Sequence, residues 1–323
     1  MIKLFDPVIN SKEKKAIVKV LEGKFWASGS GSGLVSKFEN EFKKYIKSDA
    51  CIGVNSGTAA LNLALSLFDV KNKEVILPSM SFVSTAHCIV ENKGIPVFVD
   101  IKQDSLCIDP KKIETAITKK TAAIIPVHFG GMPCDMNEIL RISKQYKLEV
   151  IEDAAHSVGT RFNKQKIGRH GTAVCFSFHP VKIITTCEGG MCLTNDPELA
   201  NLIGRYRSHG ITRQPSEMSK TPDGPWYYEQ LNLGLNYRMN DVQAALGLSQ
   251  MDRLDEFIET RRDIAKNYND LLKGKILYKP LASWNPDTIK IDNRTLYEIM
   301  YLEPVSPSFS GGITFQYNYK HKK

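Results

Sequence analysis

The stretch "AAIIPVHFGGMPCDMNEILRISKQYKLEVIEDAAHS", residues 122–157, decides the fold. It begins with the apolar run "AAIIPVHF", which reads as a strand. It then enters "MNEILRISKQYK", whose apolar residues recur at helical spacing, and returns to a second apolar run, "LEVIEDAAH". A strand, a helix and a strand of these lengths predict two parallel strands joined by a crossover. Outward from this unit the pattern repeats. "EVILP", "IPVFVDI", "AVCFSFHP" and "GGMCLTND" read as strands, and "TAALNLALSLF", "SFVSTAHCIVENK" and "DPKKIETAI" as helices. Strands that are apolar on both faces and alternate with helices predict an α/β fold, a mostly parallel central sheet with helices on both faces.

At 323 residues the chain can bury a large core and carry a second, smaller part. We expect a large domain over 1–240, including the N-terminal segment, and a second portion over 241–323. That portion opens with one long helix from Asn240 to Leu272, capped by Asn240, and continues past Lys273 as a small, shortened α+β part rich in proline. The net charge of +8 is spread along the chain rather than gathered in a patch, so nucleic acid is not an expected partner. Seven cysteines, with no C-x-x-C pair, argue against both a disulfide framework and a zinc site and for a reduced, cytoplasmic protein. The first residues carry charges every few positions, unlike a signal peptide, and no window has the run of apolar residues needed to span a membrane. The run "SGSGSG", residues 28–33, lacks the G-x-G-x-x-G spacing and a preceding strand, so it reads as a loop near a ligand rather than a dinucleotide site.

Three places carry candidate chemistry. "CIGVNSGTAALNLAL" turns through Asn55, Ser56 and Gly57 into a helix at Thr58, where free amides and the helix dipole suit an anion; Ser56 as a simple helix cap is the alternative. "VIEDAAHS" ends a strand in Glu152 and Asp153, with His156 following, and an acid at a strand's C-terminal end suits a cationic partner. "CFSFHPVKIITTCEGG" presents Ser177, His179 and Lys182 before a glycine pair that permits close backbone approach. Taken alone, Lys182 reads as a solvated lysine. Together, an anion-binding helix start, a carboxylate for a pyridinium nitrogen and an amine for an aldehyde are the three handles of pyridoxal 5'-phosphate, PLP.

"NSGTAALNLAL", "EDAAHSVGT", "SFHPVKIITTCEGGMCLTND" and "LNYRMNDVQAALGLSQ" strongly resemble the DegT-type nucleotide-sugar aminotransferases of the aspartate aminotransferase fold group (PLP fold type I). The resemblance implies that Lys182 bonds covalently to the cofactor aldehyde and then moves the substrate proton, and that Asp153 pairs with the ring nitrogen. It places His156 near the phenolic oxygen, Gly57, Thr58 and Ser177 at the phosphate, and Phe82 against the ring. Asn236 would reach the phosphate from the other subunit of a homodimer with a shared active site, and Arg238 lies in the same loop. Members that dehydrate sugars carry histidine at the lysine position, so Lys182 implies transamination, with an amino acid, usually glutamate, as donor and a nucleotide-linked keto sugar as acceptor. The segment "RYRSHGITRQPSEMSKTPDGPWYYEQLNLGLNYRMND" is similar to the branch that acts on UDP-4-keto-6-deoxy-N-acetylhexosamine. That branch gives UDP-4-amino-4,6-dideoxy-N-acetyl-β-L-altrosamine for pseudaminic acid. His209, Arg213, Trp226 and Tyr227 are candidates for its sugar or nucleotide subsite. A dTDP- or GDP-4-keto-sugar aminotransferase is the alternative within the family. The resemblance fades after about Thr288, which motivates a reading from another class, a catalytically impaired PLP-binding homologue with an altered C-terminus and lowered stability or a changed oligomer.

Overall fold

A computed structural model of the chain describes residues 6–27 and 33–272. The chain opens with α1 (Ser11–Gly23), α2 (Gly33–Ile46), β1 (Ala50–Val54), α3 (Gly57–Ser66), β2 (Glu74–Pro78) and α4 (Val83–Glu91). It continues through β3 (Ile95–Val99), α5 (Pro110–Ala116), β4 (Thr121–Ile124), α6 (Met136–Tyr146) and β5 (Glu149–Asp153). A small hairpin of β6 (Arg161–Phe162) and β7 (Gln165–Lys166) leads to β8 (Ala173–Ser177), β9 (Gly190–Thr194) and α7 (Pro197–Tyr206). The last described elements are β10 (Ile211–Thr212), β11 (Glu229–Gln230), α8 (Asp241–Met251) and α9 (Leu254–Leu272).

The central sheet has seven strands in the order β1-β9-β8-β5-β4-β2-β3. The pairs β8–β5, β5–β4, β4–β2 and β2–β3 are parallel, and β9 alone runs against both its neighbours. The strands read from the sequence all form. "AAIIPVHF" stops pairing as a regular strand at Ile124, just before Pro126, whose nitrogen has no hydrogen to give. From there the pairing with β5 continues as an isolated bridge, Val127 to Asp153, made by the bonds of Pro126 O and His128 N to the Asp153 backbone.

Helices cover both faces, as a sheet buried on two sides requires. One face packs α3, α4 and α7. Helix α3 lies deepest, with Ala59 through Leu65 all buried, because its sequence is apolar nearly all the way round. The other face packs α5 and α6 over β2, β4 and β5, and packs α2, α8 and α9 over β8 and β9. Beneath α2 the rings of Phe38, Phe42, Phe176 and Phe178 meet with centroids 5.2–6.3 Å apart, mostly edge to face.

Asn240 does cap a helix. Its Oδ1 accepts from Gln243 N at 2.9 Å and Gln243 Oε1 accepts from Asn240 N at 3.0 Å, a reciprocal capping box. The single helix expected over 240–272 is instead two, α8 and α9, broken at Asp252 and Arg253. The break has a tertiary cause. Gln250 and Arg253 both turn their side chains onto the carbonyl of Val8 and onto Glu13, so the chain bends around the start of α1. The run at 28–32 and everything after residue 272, including the expected C-terminal part, lie outside the described residues. Among the described residues no helix is long and apolar enough to cross a membrane.

Glu13 is buried and bonded to Asn10 N–H, Arg253 and Gln250. Burial alone would raise its pKa, but the hydrogen bonds from Asn10 and from the Arg253 and Gln250 side chains outweigh it and hold the carboxyl below its ordinary 4.5. A depressed folded-state pKa contributes stability above the unfolded value and loses it as pH falls. Urea unfolding should therefore show the wild type more stable than Glu13→Gln at neutral pH, with the gap narrowing as pH drops below 4.5.

Candidate active site

The six strands that share a direction end on one edge of the sheet, which is where open α/β sheets hold ligands. There β1 leads through Ser56 to Gly57, β2 leads to Phe82, β5 ends at Asp153, and β8 ends at Ser177 with Lys182 close behind.

At the start of α3, Ser56 Oγ accepts from Ala59 N at 3.0 Å, so the serine is a helix cap, and the first-turn amides of Gly57 and Thr58 have no helical acceptor. The backbone here is pressed against β8 and β9. A Cβ on Gly57 would lie 2.6 Å from the Cβ of Ser177, and one on Gly190 would lie 2.3 Å from the carbonyl oxygen of Ser56. The glycines of "NSG" and "EGG" are thus required by contact, which leaves a strip of bare backbone amides beside the Ser177 hydroxyl.

Asp153 is buried, with only 4% of its surface exposed. Its Oδ2 accepts from Thr85 Oγ1 at 2.8 Å and its Oδ1 from Ala155 N at 3.1 Å. Behind it, Cys88 is pushed up to about 12 by burial and then by the Asp153 charge, so that thiol stays protonated. The neighbouring Glu152 points to the opposite side of β5, as strand alternation demands, and meets His128 at 2.7 Å with both side chains wholly buried. His128 Nδ1 accepts from Cys134 N at 3.0 Å, which assigns the ring proton to Nε2 and makes Glu152 its acceptor. The Glu152 carboxylate also accepts from Gly171 N–H. His128 N donates to Asp153 O at 3.0 Å and Asp153 N to Pro126 O at 2.9 Å, so this polar layer holds the strand end that carries the acid. Nearby, burial lowers the pKa of His170 against the opposing pull of Glu152. Thr85 and His128 carry no sequence signal of their own. Each sits in a run that reads as plain helix or strand, and only the fold brings them to Asp153.

Lys182 lies on a tight turn. Its N–H donates to His179 O at 2.9 Å, and Thr186 N and Thr185 Oγ1 both donate to Phe178 O at 3.0 Å. Phe178 N donates to Gly189 O at 2.8 Å, which closes the β8–β9 connection around the lysine. Phe82 stands at the N-terminus of α4, 71% exposed, beyond the end of β2 on the ligand edge. His156 accepts from Gly130 N at 3.4 Å through Nδ1 and meets Phe129 edge-on at 5.9 Å.

The remaining sequence candidates lie along β1 and on the excursion beyond α7. Arg238 bridges Val54, Asn55 N donates to Tyr237 O at 3.0 Å, and exposed Asn236 bridges Ser208. His209 has a left-handed backbone, φ 63°, and donates to Leu235 O at the base of the excursion. Farther out, Arg213 sits over the Tyr228 ring, the Tyr227 hydroxyl donates to Glu229, and Trp226 is 69% exposed. Among the described residues, the hydrogen bonds and ring contacts of these four stay within the excursion and at its base. Among the described residues no group of three or more His, Cys, Asp or Glu is placed to hold a metal, and all seven cysteines are free thiols.

The edge therefore offers an amine, a buried carboxylate, bare amides beside a hydroxyl, and an exposed ring. This donor set fits the aldehyde, the ring nitrogen, the phosphate and the flat ring of PLP. Residues 7–290 match the profile of the DegT/DnrJ/EryC1/StrS aminotransferase family. Spore coat polysaccharide biosynthesis protein SpsC of Bacillus subtilis is 41% identical over 263 residues, 81% of this chain and 67% of that one. Among solved structures, Helicobacter pylori PseC, an aminotransferase involved in the biosynthesis of pseudaminic acid, superposes with a TM-score of 0.81 at 29% identity, over 92% of this chain and 76% of that one. A Streptococcus pneumoniae protein assigned to the sugar aminotransferases, solved in its PLP form, gives a TM-score of 0.76 at 28% identity over 84% and 72%.

Replacing His128 by leucine strips a wholly buried carboxylate of its side-chain partner. Such a loss costs about 3–5 kcal/mol, to be read as the change in urea unfolding free energy of His128→Leu.

Proposed function

The chain belongs to the DegT/DnrJ/EryC1/StrS aminotransferase family and is a PLP-dependent sugar aminotransferase, and from this premise we propose that it aminates the 4-keto carbon of a nucleotide-linked deoxysugar. The observation that carries this reading is the placement of Lys182, Asp153 and the Gly57–Thr58 helix start on one edge of the sheet. Bound PLP supplies an aldehyde that accepts an amino group and a ring that takes up the electrons of a breaking C–H bond.

The protein's own residues do the rest. Lys182 would hold the cofactor through its aldehyde, and its amine would carry the proton between substrate carbon and cofactor. Asp153 keeps the ring nitrogen protonated, and the hydrogen bonds it accepts from Thr85 and Ala155 hold its carboxyl in place at the end of β5. The Gly57 and Thr58 amides and the Ser177 hydroxyl hold the phosphate at the positive end of α3. Phe82 covers one face of the ring, and His156 lies toward the phenolic oxygen. Asn236 reaches the phosphate of a second copy, so the active unit is a homodimer, and Arg238 belongs to the same interface. The amino donor is an amino acid, glutamate in the first instance. His209, Arg213, Trp226 and Tyr227 contribute to the nucleotide-sugar subsite, and the large domain ends at residue 240. A protein with reduced cysteines and such substrates works in the cytoplasm.

For the acceptor, likeness to PseC over 92% of the chain supports UDP-4-keto-6-deoxy-N-acetylhexosamine, on the route to pseudaminic acid. The higher identity to SpsC, 41% against 29%, favours a second reading, a different nucleotide-linked 4-keto sugar for a polysaccharide.

Mixed with PLP, the wild type should develop a visible absorption band that Lys182→Ala lacks, and glutamate should bleach it toward the pyridoxamine form. A wild type without the band overturns the assignment of Lys182. A panel of UDP, dTDP and GDP 4-keto sugars, with product stereochemistry read by NMR, decides between the two acceptors.

A further inference from the structure

We infer that Arg261, on α9, is a positioning residue for Lys182, holding the turn that presents the lysine amine by bonding the lysine's own carbonyl. The inference rests on the reading of Lys182 given above.

Arg261 Nη2 donates to Lys182 O at 3.3 Å across 79 positions of sequence. The donor is a permanent cation and the acceptor a peptide oxygen, so the bond is charge-assisted and directional. It fixes the peptide immediately following the Lys182 Cα, the same Cα from which the amine-bearing side chain departs.

The underside of the turn is packed by the same helix. Ile183 and Ile184, directly after Lys182, are buried in one cluster with Leu254 and Ile258 of α9. A second bond ties the far end of the loop to the preceding helix, since Gln243 Nε2 of α8 donates to Glu188 O at 2.5 Å. The β8–β9 connection is thus gripped at both ends by side chains from the two helices that follow the excursion. Arg262, next in sequence, makes an i,i+3 ion pair with Glu259.

Amine attack on an aldehyde needs the nitrogen at a fixed place and angle, and a displacement of an ångström is enough to slow a reaction strongly. A lysine on a turn with a loosened carbonyl keeps its chemistry and loses its aim. The planar fork of arginine is suited to this role; a lysine at 261 has a single, more mobile ammonium and restores the bond only in part.

The test measures capture of PLP by the full chain, followed by the growth of the visible band and by mass spectrometry of the borohydride-reduced peptide carrying Lys182. Arg261→Met should slow capture by about tenfold or more, and Arg261→Lys should recover part of the rate. Ile258→Ala loosens the same helix from within the core without removing a partner of Lys182 O, and should capture at close to the wild-type rate once matched for melting temperature. Capture by Arg261→Met at the wild-type rate overturns the inference. So does an Ile258→Ala protein slowed as much as Arg261→Met for the same loss of melting temperature, because the effect then belongs to helix packing. A wild type that captures nothing, or labels at another residue, fails the Lys182 assignment itself and is told apart from both.

Discussion

Where the backbone at Ser56 and Gly57 meets the ends of β8 and β9, a methyl group does not fit, and the rest of the edge is arranged around that contact. The 2.6 Å from a Cβ on Gly57 to the Cβ of Ser177, and the 2.3 Å from one on Gly190 to the Ser56 oxygen, leave no slack between helix and strands. The close approach sets the first turn of α3 beside the Ser177 hydroxyl, and it needs the deep burial of α3 to hold it in place. Lys182 inherits its position from the same contact, because its turn links the two strands on which the helix start rests.

A second constraint works from below. Asp153 and Glu152 are adjacent carboxylates on one strand, yet the pleat sends them to opposite faces, where they meet different surroundings. Asp153 keeps two donors and opens onto the ligand edge. Glu152 is wholly enclosed with His128 and the Gly171 amide. A buried hydrogen-bonded pair of this kind adds little net stability but defines one arrangement of the strands around it. Here the arrangement it defines includes the backbone of Asp153, through the His128 amide.

Much of this was legible in the sequence because the strands are apolar runs of ordinary length and the glycines mark contacts that only glycine permits. "EVILP" forms a strand over the same residues, and the crossover unit at 122–157 sets the parallel direction of the sheet. Helices α1 and α2 were not read from the sequence, although Val35, Phe38, Phe42 and Ile46 stand at helical spacing in α2; lysines and glutamates interrupt both runs, and each helix packs against α8. The break between α8 and α9 was hidden for a similar reason, since the side chains that cause it answer to Glu13, more than two hundred residues away. Gly57, Asp153, Ser177 and Lys182, each named by a local motif, lie at the strand ends of one sheet edge, whereas Thr85, His128 and Arg261 depend on contacts between distant segments that no spacing reveals.

The reversed direction of β9 has a consequence for the order in which the chain assembles. Because β9 is antiparallel to β8, the two join through the Lys182 turn as a local pair, which can form early at little entropic cost. Strand β1 and the start of α3 must instead come from more than a hundred residues upstream to close the edge of the sheet on β9. Contacts of such long sequence separation are slow to form. The pocket between the lysine turn and the helix start that faces it is therefore complete only once this long-range closure has formed. A small molecule held by both halves then stabilises only chains that have completed this step, and cofactor capture becomes a readout of finished folding.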